Sequence, residues 1–474
     1  MKKPQAGQPA TSGPMTGEEK RMNATGHTSL RTPLLAALLM GAAAVPVPAQ
    51  AAGFFLKEQS ASAQGTAFAG VTAGGTNDAS AMFFNPAAMA VVKGNQAIGN
   101  LSILMPTATI DGARGTRATA LGGSAIAGNA SPDDGGQDAV LPSGYAVWSA
   151  TQDLKFGVAI TSPWGLVTDY PEDWVGRYHA LHSSLATVNI QPSVSYRVMP
   201  TLTLGAGAQI QYSKARLSQA VDFASIVRAS TGLPLAPGSL DGASEVEGSS
   251  WGAGAVAGLL LEPHDGTRVG LSFRSAVYQE LKGTAQFTNV PALSPAFSAA
   301  FANTGGRAKI VTPEIVSLGG YQKINDAWAV MADVNWTNWS RFKDLTVRFD
   351  NPLRSPSTTE ENWKDTWAVA IGAAYQPTKE LTLRTGFAFD QSPVPSASRT
   401  PRIPDNNRFW LSAGAGYAFT DSFQVDIAWS HLFVPDASLN LTDTLASPGA
   451  FRGNLSGTYN DKVDIVSIQA KLSF

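Results

Sequence analysis

Residues 463 to 474, where the chain stops, read VDIVSIQAKLSF. Val466, Ile468, Ala470, Leu472 and Phe474 fall on one face of an extended backbone, and Ser467, Gln469, Lys471 and Ser473 fall on the other. Side chains of a strand alternate between two faces, so the stretch predicts a strand lying between an apolar and a polar environment. The same pattern recurs upstream. In TVNIQPSVSYRV (187–198), Val188, Ile190, Val194, Tyr196 and Val198 share the apolar side. In TLTLGAGAQIQY (201–212), Leu202, Leu204, Ala206, Ala208, Ile210 and Tyr212 oppose Thr203, Gln209 and Gln211. AWAVMADVNWTNW (327–339), LTLRTGFAFD (381–390) and RFWLSAGAGYAF (408–419) repeat it.

A soluble sandwich also alternates, so three further features decide for a membrane. The segments have the length of about ten residues that a tilted membrane-spanning strand needs. Trp328, Trp336, Trp339, Tyr417 and Trp429 sit near strand ends, where interfacial girdles form. The closing strand ends on an aromatic residue, as in bacterial outer-membrane barrels. In lipid an open sheet edge leaves backbone groups unpaired at several kcal/mol each, so the sheet must close. The expected fold class is therefore all-β, a transmembrane antiparallel β-barrel. Gly205, Gly207, Gly252, Gly254, Gly414 and Gly416 read as positions where the sheet bends or another segment packs closely.

Composition agrees. Charged residues make up 15% of the 474, below the quarter usual in soluble proteins. The balance of 34 basic to 36 acidic residues lacks the basic footprint of a nucleic-acid binder, and with no Cys there is no disulfide framework. At the N-terminus a basic, polar stretch around Arg21, His27 and Arg31 precedes TPLLAALLMGAAAV and then small residues at Ala49 and Ala51. That order predicts a secretory signal over residues 1–51, cleaved after Ala51.

No enzyme is expected. His179, His182, His264 and His431 are scattered, and no Ser has nucleophile-elbow spacing. His179-x-x-His182 is the only spacing suggestive of a metal, and it lacks a supporting carboxylate cluster. No cofactor is expected. Arg384 and Asp390 lie six apart and so point to one side, where Arg408 and Asp426 can join them in an ion-pair network facing the lumen.

Two long segments between strands, 221–240 and 287–306, are apolar. Ile226, Val227, Leu233, Leu235, Val290, Leu293, Phe297 and Phe301 either pack together as a satellite core or form a groove for a hydrophobic ligand. NDASAMFFNPAAMA (77–90) has no strand alternation, and Pro86 biases Asn85 away from helix.

NDASAMFFNPAAM, SPWGL (162–166), FRSAVYQELKG (273–283) and PEIVSLGGYQKINDAWAV carry a resemblance, as does LRTGFAFDQSPVPSASRTPRIPDNNRFWLSAG (383–414) above all. The chain resembles the FadL family of outer-membrane transporters of long-chain fatty acids and hydrophobic compounds, including its TodX branch. The resemblance implies 14 strands in a barrel over 94–474, plugged by an N-terminal hatch of short helices over 52–93. It implies a low-affinity groove between extracellular loops at about 221–247 and 287–306, and an inner pocket beneath. It also implies a lateral exit beside a kinked third strand beyond residue 140. The groove would use the eight apolar residues above. Phe54, Phe55, Phe83, Phe84, Asn85, Pro86 and Ala87 would bind or gate in the hatch. Lys214, Arg216, Arg384 and Asp390 are the candidate pocket charges, because SPSTTEENWKD (355–365) has Thr and Glu where a lysine is expected. The expected cargo is a long-chain fatty acid, with neutral aromatic or aliphatic hydrocarbons as the alternative and a general porin behind both. Expected partners are the hydrophobic ligand, outer-membrane lipid and lipopolysaccharide, and the barrel assembly machinery during biogenesis. The expected state is a monomer in the bacterial outer membrane.

Overall fold

The computed structural model describes residues 53–446 and 450–474, so the signal segment and its cleavage point lie outside the described residues. Fourteen antiparallel strands form one closed sheet. The first six are Gln96–Thr116, Ala139–Ser149, Leu154–Thr161 continued by Gly165–Asp169, His182–Met199, Leu202–Asp222 and Asp241–His264. The seventh to tenth are each broken once: Thr267–Arg274 with Val277–Thr288, Thr304–Thr312 with Ile315–Lys323, Trp328–Thr337 with Asp344–Phe349, and Ser357–Glu360 with Thr366–Tyr375. The last four are Leu381–Asp390, Arg408–Thr420, Phe423–Phe433 with Ala437–Leu441, and Asn454–Ser473. Closure comes from the first and last strands, paired from Gln96↔Ser473 to Thr116↔Asn454. No backbone edge then faces lipid along that seam.

The alternation read from sequence is the alternation of the wall. In the last strand Val466 and Ile468 are exposed while Ser467 and Gln469 are buried, and in the ninth Trp328 and Val330 are exposed while Ala329, Met331 and Asp333 are buried. Exposed apolar side chains here face lipid. Trp328 stacks on Tyr375 at one end of the wall, and Tyr212 packs on Trp251 toward the other. Trp339 departs from the girdle expectation. It lies two residues past the end of a strand segment, turns inward and is 2% exposed.

Inside the barrel sits the segment from Gly53 to Val92, folded into the short helices Ala61–Gln64 and Ala81–Phe84 and the 3-10 turns Val71–Ala73 and Pro86–Val91. It has no lipid-facing side, which is why it lacks strand alternation. Polar wall residues hold its carbonyl groups. Gln191 Nε2 donates to Met82 O at 2.9 Å, Arg274 Nη2 to Phe83 O at 2.6 Å, and Ser272 Oγ to Phe84 O at 2.8 Å. Glycines mark the close approaches. A Cβ at Gly205 would overlap Ala87, one at Gly270 the Thr72 carbonyl, and one at Gly386 Thr66. Of the glycines singled out in sequence, Gly205 and Gly414 meet the hatch, whereas Gly207, Gly252 and Gly254 meet side chains of neighbouring strands.

Short turns join strands at the end that carries the C-terminus, and long loops occupy the other end. The two apolar loops span 223–240 and 289–303, because strand pairing reaches Asp222↔Asp241 on one side and Thr304↔Ala285 on the other. They are thus shorter than the segments expected from sequence.

Candidate functional site

Helices Phe223–Thr231 and Pro295–Ala300 stand in the two apolar loops. Phe223, Phe287 and Phe301 form a buried cluster, with Ile226, Val290, Phe297 and Phe349 packed against it. The two alternatives open in the sequence are therefore unequally filled. Phe297, Phe301 and Val290 serve the satellite core, Val227 is buried, and Leu235 is half-buried. Leu233 and Leu293 are exposed. Of the eight expected groove residues, only Ile226 lines the cavity beneath the loops.

That outer cavity, of about 200 Å³, is walled by residues at strand tops and loops far apart in sequence, among them Leu217, Val246, Val347, Phe349, Arg354, Arg402 and Arg452. Sharing Leu217, Val246, Leu345, Val347 and Arg402 with it is an inner cavity of about 80 Å³ whose floor is Phe54. Phe54 is 1% exposed and rests between Trp164, Trp339, Phe342 and Trp363, with ring centroids 4.8 to 5.8 Å away. Gly53 N donates to Asp405 Oδ2 at 3.1 Å, which fixes the terminus of the described chain. Phe55, Phe83 and Phe84 line a third space of about 70 Å³ between hatch and wall. Asn85, Pro86 and Ala87 line none of these and are structural: Asn85 caps the Pro86–Val91 turn, and Ala87 packs on Ala73 and Leu260.

The wall itself is interrupted at the third strand. Its ladder with the second runs only from Ser149↔Lys155 to Gly144↔Ile160. Beyond that point residues 139–143 pair with the first strand alone, and the third turns aside through Ser162, Pro163 and Trp164. Pro106, Pro142 and Pro163 all border the interruption. A proline lacks the N–H a ladder needs and so belongs at an edge. The hatch occupies the break. Leu56 N donates to Pro163 O at 2.8 Å, and Gly165 N donates to Phe54 O at 2.9 Å. Gln59 spans both edges: its Nε2 donates to Ser162 O at 2.9 Å, its Oε1 accepts from Ser162 N at 3.2 Å, and its main-chain O accepts from Ser143 Oγ and Tyr145 OH at 2.7 and 2.8 Å.

Of the four candidate pocket charges, Asp390 lines the third space together with Lys57, and the other three line none of these cavities. Lys214 and Arg216 follow Tyr212 at even spacing, so they face outward, where they pair with Glu247 at 2.8 Å and Glu245 at 2.7 Å. Arg384 pairs with Asp426 at 2.7 Å, and Asp390 holds Lys57 of the hatch at 2.7 Å. The last pair ties the hatch to the wall, and the four-residue network expected from sequence is divided into separate pairs, since Arg408 pairs instead with Asp405. Positive charge at the outer cavity comes from three arginines that the sequence reading missed, while the one carboxylate in its lining, Asp222, lies 3.8 Å from Arg117. Arg402 donates to His182 O, Ser183, Ser218 O and Gln219, and Arg452 donates to Thr359 and Ser357. Arg354 faces the rings of Phe287, Phe301 and Phe349. None of the three has a carboxylate within 4.0 Å among the described residues. Burial lowers the Arg402 pKa to about 9 and that of Arg354 to about 10. The nearby Glu361 does not cancel them at neutral pH, because burial raises its carboxyl to about 8.

Next to Lys57, Glu58 is wholly buried with neither carboxylate oxygen hydrogen-bonded. Desolvation lifts its pKa from 4.5 to about 7. A carboxyl whose native pKa lies above its unfolded value favours the docked hatch at low pH. That contribution falls as pH rises from 4.5 and is lost above about 7. The full loss is on the order of 3 kcal/mol. Hydrogen exchange corrected for intrinsic rates should therefore show amides 58–64 less protected at pH 8 than at pH 5, and Glu58→Gln should remove the difference.

On the outer face Asp169, His182 and Ser184 fall in line, with His182 Nδ1 3.2 Å from Asp169 Oδ1 and Nε2 3.1 Å from Ser184 Oγ. Ser184 is paired across the ladder with both neighbours, Val167 and Arg216, so its backbone N–H is not left free to stabilise an oxyanion. His179 turns away from His182 to Gly453 O. Among the described residues no group of His, Cys, Asp and Glu is arranged to hold a metal.

A closed, internally plugged barrel with a lipid-facing apolar wall and an apolar cavity under its long loops is a transport barrel of a bacterial outer membrane. Residues 42–474 match the family described as outer membrane protein transport protein (OMPP1/FadL/TodX), and the chain belongs to that family. It is 30% identical over 461 residues to an outer membrane protein of Neisseria meningitidis serogroup B, covering 92% of this chain and 98% of that one. It is 29% identical over 415 residues to the long-chain fatty acid transport protein of Salmonella typhi, covering 85% and 92%. The crystal structure of a Pseudomonas aeruginosa FadL homologue superposes with a TM-score of 0.82 at 26% identity, over 89% of this chain and all of that one. The family is one of transporters rather than enzymes, and the chain is an outer-membrane transporter of hydrophobic compounds.

Proposed function

We propose that the cargo is a long-chain fatty acid, taken up passively with its headgroup against arginines and released sideways through the wall. The observation that carries this reading is the set Arg354, Arg402 and Arg452 around the outer cavity, without ion-pair partners among the described residues, above an apolar floor at Phe54. A neutral hydrocarbon would leave those cations uncompensated, whereas a carboxylate offers Arg354 and Arg452 charge-assisted bonds. The acyl chain gains about 0.8 kcal/mol for each methylene removed from water. In this reading the ligand enters under the two loops and moves down past Leu217 and Val246 to Phe54. It then leaves where the third strand parts from the second, which spares it the polar lumen.

Arg402 already has four acceptors, so the informative changes are at the other two. Arg354→Gln with Arg452→Gln should weaken oleate binding roughly 10- to 100-fold, as expected for one or two lost charge-assisted bonds, and leave oleyl alcohol binding unchanged. Isothermal titration in detergent measures both. Equal loss for acid and alcohol would count against headgroup recognition and favour the neutral-hydrocarbon reading.

A further inference from the structure

On the outer face of the fifth to ninth strands, register sets Lys214 opposite Ser249, Ser249 opposite Lys282, Lys282 opposite Arg307, and Arg307 opposite Arg348. The five positions make one row across the wall, and its four cations are exposed. Their outward direction follows from the pleat, because the adjoining Ala215, Leu281, Ala308 and Val347 line the inner cavity.

Like charges directly opposite one another destabilise a sheet. Nearby carboxylates relieve this only in part. Glu247 lies 2.8 Å from Lys214, but Glu280 is 3.6 Å from Lys282 and Asp350 is 3.7 Å from Arg307. Arg348 has no carboxylate within 4.0 Å among the described residues. Lys309, also exposed, sits beside the row facing Glu280, and the positive face ends at Asp344 and Glu360, which oppose each other. Immediately below on the same face lie the Tyr212–Trp251 pair, ring centroids 5.2 Å apart, and the exposed Tyr278. Aromatics of this kind mark the membrane–water boundary. Lys214 lies two residues past Tyr212, about 7 Å along the strand, at the height of outer-leaflet headgroups.

We propose that this row binds the phosphates of a phosphorylated glycolipid of the outer leaflet, of the lipid A class. Its acyl chains lie against the apolar wall below, and its headgroup sits under the two apolar loops. An occupant with phosphate above and hydrocarbon below satisfies both halves of the surface, whereas a soluble anion meets only the upper half. The bound lipid offsets the repulsion along the row and keeps a fixed anionic surface beside the cavity mouth.

The test uses the purified protein in detergent with three probes: bis-phosphorylated lipid A, the same lipid with its phosphates removed, and inorganic phosphate. Native mass spectrometry of wild type and the Lys282→Gln, Arg307→Gln, Arg348→Gln variant should show a loss on the order of 100-fold for the phosphorylated lipid only. Inorganic phosphate should not compete with it. In lipid-free detergent the variant should also melt at a higher temperature than wild type, a gain that vanishes when lipid A is added. Equal affinity of the two proteins, equal binding of the dephosphorylated lipid, or competition by inorganic phosphate overturns the proposal.

Discussion

Replacing Asn85 with alanine is expected to turn a sealed barrel into one that passes small sugars. Asn85 is fully buried, and its side chain makes three bonds at once. Oδ1 accepts from Ala87 N at 2.9 Å, while Nδ2 donates to Thr72 O at 2.7 Å and to Leu259 O at 3.0 Å. Two of those partners belong to different turns of the hatch and the third to the sixth strand, so one side chain ties the plug to itself and to the wall. Alanine leaves an N–H and two carbonyl groups without partners in a dry interior, at about 1–3 kcal/mol each. The sum, on the order of 5 kcal/mol, rivals the whole stability of a small domain. The wall does not depend on these bonds, since its strands close on themselves. The expected result is therefore a folded barrel with a loosened plug. Liposomes carrying the variant should swell in a disaccharide solution in which the wild-type protein gives no swelling, and heat-modifiable migration on gels should remain. No swelling, with the hatch amides still protected from exchange, would mean that Arg274, Ser272 and Gln191 hold the plug alone.

The wall was legible because lipid imposes one rule on every strand, and the lumen imposes the opposite rule on the alternate residues. Extending that rule by two and four residues past Tyr212 would have put Lys214 and Arg216 outside, where they are, instead of in the pocket. The interruption of the wall also left a trace, since Pro106, Pro142 and Pro163 fall in otherwise strand-like runs. Pro192 warns that the trace is not unique, because its strand continues and loses only rungs of the ladder to the fifth strand. The hatch could not be read from periodicity, as it meets protein on every side. Its recognition rested on the Asn85-Pro86 step and on resemblance. The cavity was the least legible part. Apolar loop residues such as Phe297 and Phe301 satisfy one another locally. The arginines come from segments about 50 residues apart whose meeting only closure of the barrel brings about.

Gln59→Gly is expected to raise the rate of oleate uptake severalfold while leaving the barrel impermeable to sugars, the converse of the Asn85 variant. Gln59 is the one hatch side chain bonded to both the N–H and the C=O of Ser162, at the turn where the third strand leaves the ladder. Its carbonyl is at the same time bonded to Ser143 and Tyr145 of the second strand. It thus imitates the missing rung between two edges that no longer pair directly. Glycine keeps the carbonyl and its two bonds but removes the amide that engages Ser162, at a cost of about 1–3 kcal/mol spread over the donor and acceptor left behind. The Asn85 bonds and the Lys57–Asp390 pair are untouched, so the plug stays seated along the barrel axis. Only the sideways closure weakens. A shift of that size in a closed-to-open equilibrium changes the open population by roughly 5- to 100-fold, and a rate limited by chemistry-free diffusion through the wall follows it until another step takes over. Uptake of labelled oleate into cells expressing equal amounts of each barrel measures the effect, with sugar-driven liposome swelling as the axial control. Faster uptake together with sugar flux would mean that the whole hatch had moved, and unchanged uptake would show that the ligand does not leave past Gln59.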